Sequence, residues 1–218
     1  MQTKLRIAVL DKLPVHPNLH GVRGTSQITA AAVHRSQAVI ITMDIKDFFP
    51  SVTAEMVREA LAIHKANGSV ADLICRLVTR KKRLPQGAPT SPAVARIVIA
   101  PAVERLRGLL ASVSPTCKIA VYVDDISLSG PLGLQRAIPT VMKILHEHGF
   151  EFSERKTRVS KGDEDKEVLG LKVSCRLEPG TAFRQKLELA RQSLPSTSPS
   201  LKGLESWPQT ISRLSRLH

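Results

Sequence analysis

The sequence predicts an α+β fold, a small antiparallel sheet with helices packed on one face. Three observations carry that expectation. A β-branched run at 39–42 leads into charged residues and an aspartate, as a strand ending at a sheet edge does. The stretch CKIAVYVDDISLSG reads as two short strands about a turn, a local antiparallel pair. The segments between them carry apolar residues at helical spacing, bounded by capping residues.

Taken in order, residues 1–19 mix basic and apolar residues, and Pro14 and Pro17 then break any helix. HGVRGTSQITAAAVH, 20–34, opens on Gly-rich turn chemistry and continues as a short Ala-rich helix. After Pro50, Thr53 suits an N-cap and Glu55 the positive end of a helix whose apolar face is Met56, Val57, Ala60 and Leu61. Asn67 and Gly68 are expected to end it, and Ser69 with Asp72 to open a second helix burying Leu73, Ile74, Leu77 and Val78. The basic loop TRKKRLPQGAPTSP leads to Ser91 as N-cap and Pro92 as first residue of a helix reaching about Leu110, with a kink at Pro101. A helix from roughly 134 to 148 ends at Gly149 and is irregular at Pro139. FEFSERKTRV and KEVLGLKVSC are expected strands, and the Ser/Pro-rich tail beyond Leu194 holds one amphipathic segment at about 206–217.

Lys and Arg outnumber Asp and Glu by 32 to 19 in 218 residues, and this surplus points to a polyanionic partner, nucleic acid before membrane. Three scattered cysteines exclude a disulfide framework or a CxxC zinc site. No signal-peptide core and no apolar run of spanning length is visible, so the expected location is cytoplasmic, with no membrane partner.

The chemistry lies in the acidic residues. Asp44 ends one apolar strand, and Asp124 and Asp125 sit in the hairpin turn. If those strands pair, three carboxylates meet at one sheet edge. Hard oxygen ligands of this kind hold Mg²⁺ when substrate phosphates complete the coordination, and two such ions suit phosphoryl transfer.

Five motifs in order resemble reverse transcriptases, nearest to the bacterial retron type. YVDD resembles their aromatic-x-Asp-Asp signature and MDIKDFFPSV, 43–52, their first metal-binding motif. LPQGAPTSP resembles the template and nucleotide loop, HGFEFSERKT the motif after the catalytic hairpin, and VLGLKV the primer-grip hairpin. FFPSV, PQGAPTSP and VHPNLHG…S…H carry the retron likeness, and the resemblance covers about 4–175.

The resemblance implies a reverse-transcriptase-like palm at 38–175, a residual fingers segment at 1–37 and a short basic thumb-like tail at 176–218. It implies two Mg²⁺ ions, with Mn²⁺ as substitute, on Asp44, Asp124 and the Ile45 carbonyl, with Asp125 in the second acidic position. Lys156 resembles the lysine that protonates pyrophosphate, and Phe49 the residue beneath the sugar that excludes a 2′-hydroxyl and so favours dNTPs. Gln86 and Gly87 would lie against the incoming nucleotide. Arg23 would replace the arginine for which this chain has Thr25, and Ala30 stands where the family has Asn. Lys81, Lys82, Arg83, Leu169, Gly170, Arg184, Lys186 and Trp207 would follow the nucleic acid, together with basic tail residues as far as Arg216. The implied partners are an RNA template, a DNA or RNA primer, a noncoding RNA, and a second copy or completing subunit for the reduced fingers and thumb. A defence role against phage follows from the same likeness. The other reading is a non-catalytic or partner-dependent nucleic-acid-binding module on the same palm.

Overall fold

Alternation along two strands organises the molecule. The computed structural model describes residues 1–162, 164–195 and 197–215, so Arg216 and Leu217 lie outside the described residues. Its main sheet has the order β1-β3-β4-β2-β5, with β1 Leu19–His20, β2 Val39–Asp44, β3 Lys118–Tyr122, β4 Asp125–Gly130 and β5 Arg158–Lys161. Every neighbouring pair is antiparallel except β1 with β3, a parallel edge pair. On β2, Val39, Ile41 and Met43 enter the main core, as Ile126 and Leu128 do on β4. Side chains alternate, so Ile40, Thr42 and Asp44 share the other face with Ser129, Ser127 and Asp125, each directly opposite its partner.

The core face is covered by helices, as expected. These are α4 Ala54–Ile63, α5 Gly68–Val78, α6 Ser91–Val113 and α7 Ile138–Glu147, preceded in the chain by α1 Gln2–Ala8, α2 Gln27–Ala32 and the single turn α3 Phe48–Ser51. Val57, Leu61, Ile74, Leu106 and Val141 are among the residues that seal this face. Each such side chain contributes about 1.5–3 kcal/mol on leaving water. Thr53 caps α4 as its sequence predicts, accepting from the Met56 amide at 3.3 Å.

Other boundaries differ from expectation. Asn67 opens α5 rather than closing α4, because its side chain accepts from the Val70 amide at 2.9 Å. Ser69 donates to Asn67 instead of capping, and Asp72 pairs with Arg58. The buried face of α5 is Ala71, Ile74, Cys75 and Val78, which leaves Leu73 exposed. Thr90, one residue before Ser91, stands at the N-cap of α6, and the helix continues through Pro101 to Val113. The short helix α1 and the 3₁₀ turn Leu10–Lys12 both end before Pro14, as the prolines require.

The opposite face is partly roofed by a second sheet of order β6-β7-β8, with β6 Glu167–Val168, β7 Leu171–Val173 and β8 Leu177–Pro179. FEFSERKTRV is mostly a bridge at Phe152 and a 3₁₀ turn, Glu154–Lys156, before β5. The tail is largely helical, as α8 Thr181–Ser193 and α9 Pro199–Ser215 with Pro208 inside it. Ile28, Ala31, Ile40, Val168, Leu171, Leu177 and Ile211 form a second apolar cluster beneath this roof. Among the described residues, no helix is long and apolar enough to cross a membrane.

Candidate active site

The site grows from the end of β2. Asp44 is its last residue and lies across from Asp125, the first residue of β4, which also faces Tyr122 on β3. Asp124 is therefore a loop residue and Asp125 a strand residue, a finer division than one shared turn. The loop is held by the Ile45 amide, which donates to the Asp124 carbonyl at 2.9 Å. Val123, the other loop residue, has φ +58. A β-branched side chain in that left-handed region carries about 1–3 kcal/mol of strain, which the surrounding sheet holds in place.

The chain then returns past the same edge. The Lys46 amide donates to the Glu151 carbonyl at 2.8 Å, and the Ser153 amide to the Asp44 carbonyl at 3.0 Å. These bonds carry the 3₁₀ turn against β2, where the Lys156 Nζ donates to Asp44 Oδ1 and Oδ2 at 3.0 and 3.1 Å. The bond to Asp44 raises the pKa of Lys156. Asp125 keeps an exposed surface as a residue, yet partial withdrawal of its carboxyl from water, then the charges of Asp124 and Asp44, push its pKa up to about 6 against the pull of Lys156.

This arrangement attracts cations. Among the described residues no three acidic, His or Cys side chains gather tightly enough to hold an ion alone. The acidic edge already binds one ammonium, however, and the raised Asp125 pKa reflects burial first and then the neighbouring charges of Asp124 and Asp44, the part that a divalent cation would relieve. Carboxylates that need phosphate oxygens and water to complete the shell are the pattern that Mg²⁺ favours, so the residues fit the ion.

Asp44 and Asp125 line a cleft of about 710 Å³ between the sheet and the β6–β7 hairpin, with Lys156, Arg158, Leu169 and Gly170 among its other walls. Leu169 and Gly170 have φ +52 and +76, two successive left-handed residues that turn the hairpin tightly toward the cleft. Arg158 went unassigned in the sequence reading. Its register opposite Thr42 sets it beside the rung of Asp44, and the only sequence signal is its place two residues after Lys156.

The remaining candidates lie outside the lining of this cleft. Phe49 is half-buried, its ring 5.4 Å from that of Phe48, which is the core phenylalanine at 5% exposure. Gln86 and Gly87 are exposed in a loop tied by a bond from Ser91 to the Pro85 carbonyl at 2.6 Å, and Gly87 has φ +77. Arg23 is exposed on a turn that Thr25 closes by bonding both backbone groups of Val22. Lys81 and Lys82, φ +51 and +60, form a hairpin tip, and Arg83 donates from there to the Pro50 carbonyl at 2.7 Å. Arg184 pairs with Glu178 at 2.9 Å, and Lys186 is exposed on α8. Trp207 packs on the second cluster, 6.4 Å from the Phe183 ring.

The profile of the family described as reverse transcriptase (RNA-dependent DNA polymerase) matches residues 2–173. Retron Mx65 reverse transcriptase of Myxococcus xanthus is 31% identical over 248 aligned residues, covering 99% of this chain and 58% of the relative. Retron Ec86 reverse transcriptase of Escherichia coli is 28% identical over 169 residues, covering 76% of this chain and 52% of the relative. The chain thus spans little more than half the length of these relatives. Among solved structures, telomerase from Candida albicans, in complex with a fragment of telomeric RNA, matches 98% of this chain and 44% of its own at a TM-score of 0.58 and 14% identity. A foamy viral protease-reverse transcriptase bound to double-stranded DNA matches 92% of this chain and 32% of its own at 0.55 and 20% identity. At those identities the structural likeness is one of fold, while the sequence match to the profile spans most of the chain, which belongs to the reverse transcriptase family.

Proposed function

We propose that this chain is an RNA-directed DNA polymerase that extends a primer on an RNA template with dNTPs. The observation that carries the reading is the in-register facing of Asp44 and Asp125 at the mouth of a cleft, with Lys156 on Asp44. Asp44, Asp124, Asp125 and the Ile45 carbonyl would hold two Mg²⁺ ions, with Mn²⁺ as substitute. When bound, the ions neutralise phosphate charge and favour ionisation of the attacking hydroxyl.

The chain's own groups do the rest. Lys156 gives a proton to the pyrophosphate oxygen as its bond to the α-phosphate breaks. Phe49 lies under the sugar, Gln86 and Gly87 against the nucleotide, and Arg23 near the triphosphate. The Leu169–Gly170 turn grips the primer. Lys81, Lys82, Arg83, Arg184, Lys186 and Trp207 follow the duplex, the cations neutralising phosphates and the indole offering a stacking face. In this reading 38–175 is the palm, 1–37 contributes to the fingers and 176–218 is thumb-like, with a noncoding RNA as template.

The test is extension of oligo(dT) on poly(rA) with dTTP and Mg²⁺ or Mn²⁺, beside Asp124→Asn. Extension by the native chain, reduced about 100-fold or more in the variant, supports the reading. Tight RNA binding without extension in either metal would favour a nucleic-acid-binding module instead.

A further inference from the structure

His34, the last residue of the VHPNLHG…S…H pattern, has no part in the chemistry above. It is fully buried, just past the end of α2, on the face of the sheet that carries the carboxylates. Its Nε2 lies 2.8 Å from Ser127 Oγ and its Nδ1 2.7 Å from Ser129 Oγ. Ser127 spends its single hydroxyl proton on the Ala120 carbonyl at 3.1 Å, so toward the ring it accepts. Nε2 therefore carries the hydrogen, and Nδ1 accepts from Ser129. One tautomer satisfies every group, and neither serine can rotate without stranding a buried partner.

These serines are the next two residues of β4 on the face that carries Asp125. Ser127 faces Thr42 and Ser129 faces Ile40, in the ladder whose end is Asp125 facing Asp44. Beside His34, the Ser36 amide donates to the Ser174 carbonyl at 3.0 Å, so the same turn also holds the bend that joins β7 to β8. We propose that His34, locked as the neutral Nε2–H tautomer, is a positioning residue that fixes β4 beneath the acidic edge and so sets where Asp125 stands relative to Asp44. Ser26 and His34 then have complementary tasks: Ser26 caps the start of α2, and His34 fastens its far end to the catalytic hairpin.

The proposal rests on the polymerase reading, and two measurements separate them. Long-range ¹H–¹⁵N spectra of the native chain read the tautomer without any activity. They should show one histidine as Nε2–H, and an Nδ1–H or doubly protonated ring at this position would overturn the proposal. In primer extension, His34→Leu should lower the rate at saturating dTTP about tenfold or more, with KM and primer–template affinity little changed. His34→Gln, whose amide offers one donor and one acceptor, should recover most of that loss. Ser127→Ala, which removes a single hydroxyl, covers the case in which the leucine variant fails to fold, and it too should slow extension at unchanged KM. Native rates in both His34→Leu and Ser127→Ala, or no recovery in His34→Gln, would sink the His34 role alone. A native chain that extends nothing would sink the polymerase reading instead.

Discussion

Lys156 and Asp44, 112 residues apart in sequence, are joined by two hydrogen bonds at the end of β2. The ammonium occupies both oxygens of a carboxylate that a divalent ion would need. Asp44 is largely enclosed, its side chain 17% exposed, whereas that of Lys156 is 64% exposed and can swing away at little cost. The proposed function would thus place two demands on one residue: Lys156 balances the acidic edge in this structure and would be released toward the leaving group once an ion bound.

Replacing Lys156 should separate those demands. Lys156→Met is expected to slow single-turnover extension about 100-fold through loss of the proton donor. The same variant should bind Mn²⁺ more tightly, by spectroscopic titration of the protein alone, because nothing competes for Asp44. Unchanged or weaker Mn²⁺ binding would show that the ion pair does not oppose the cation.

The adjacent phenylalanines give a second contrast. Phe48 packs in the main core 5.8 Å from Phe150, so Phe48→Ala should cost about 3 kcal/mol in urea unfolding. Phe49, half-buried, should tolerate Phe49→Val with about 1 kcal/mol lost, while discrimination against rNTPs in extension assays falls about tenfold or more. Unaltered sugar selectivity would remove Phe49 from that role.

Burial of His34, with the nearby His20 charge adding to it, lowers its pKa from 6.5 to about 3. As pH falls below 6.5 the unfolded chain takes a proton that the folded ring refuses, so this residue withdraws stability between those two values. By about pH 5 the loss is ~2 kcal/mol. Urea midpoints at pH 7 and pH 5 should therefore diverge more for the native chain than for His34→Gln. Parallel behaviour of the two would rule out a ring buried without charge.

Local signals explain which parts were legible in the sequence. The β-branched run of β2, the strands around YVDD and the Thr53 cap are each set within a few residues, and each appears where its pattern predicts. Asn67 was ambiguous, because Asn before Gly suits a helix end as well as a start; the Val70 amide decides it. On α5, close packing selected the smaller Ala71 and Cys75 over Leu73, a choice that periodicity alone does not contain. α8 carries Phe183, Leu187 and Ala190 at helical spacing, but its other positions are mostly polar or charged and only Ala190 becomes fully buried, so the stripe is thin. In the site, the aspartates stood out by being misplaced in apolar runs. The Lys156 contact and the serine partners of His34 span about 90 to 110 residues and exist only once the sheet is assembled.

The join between the β6–β7 hairpin and α8 offers a last prediction. The Gly180 amide donates to the Gly170 carbonyl at 2.9 Å, and Glu167 Oε1 accepts from the Thr181 amide at 2.7 Å, satisfying the first turn of α8 that Gly180 has no side chain to cap. A Cβ on Gly180 would stand 2.5 Å from the Gly170 carbonyl oxygen, which is backbone and cannot rotate aside. Gly180→Ala should therefore part the hairpin turn from α8 at a cost of about 2 kcal/mol. Amide exchange should rise at 169–171 and through α8 while β2 and β4 keep their protection, and the Kd for a primer–template should weaken as the turn loses its anchor. Glu167→Gln, which keeps an acceptor for the Thr181 amide, should leave α8 protected. Glu167→Ala should expose its first turn alone. If Gly180→Ala leaves exchange in the hairpin and α8 at native rates, the two elements are held together through the Phe183–Trp207 contact onto the second apolar cluster and not by this backbone contact.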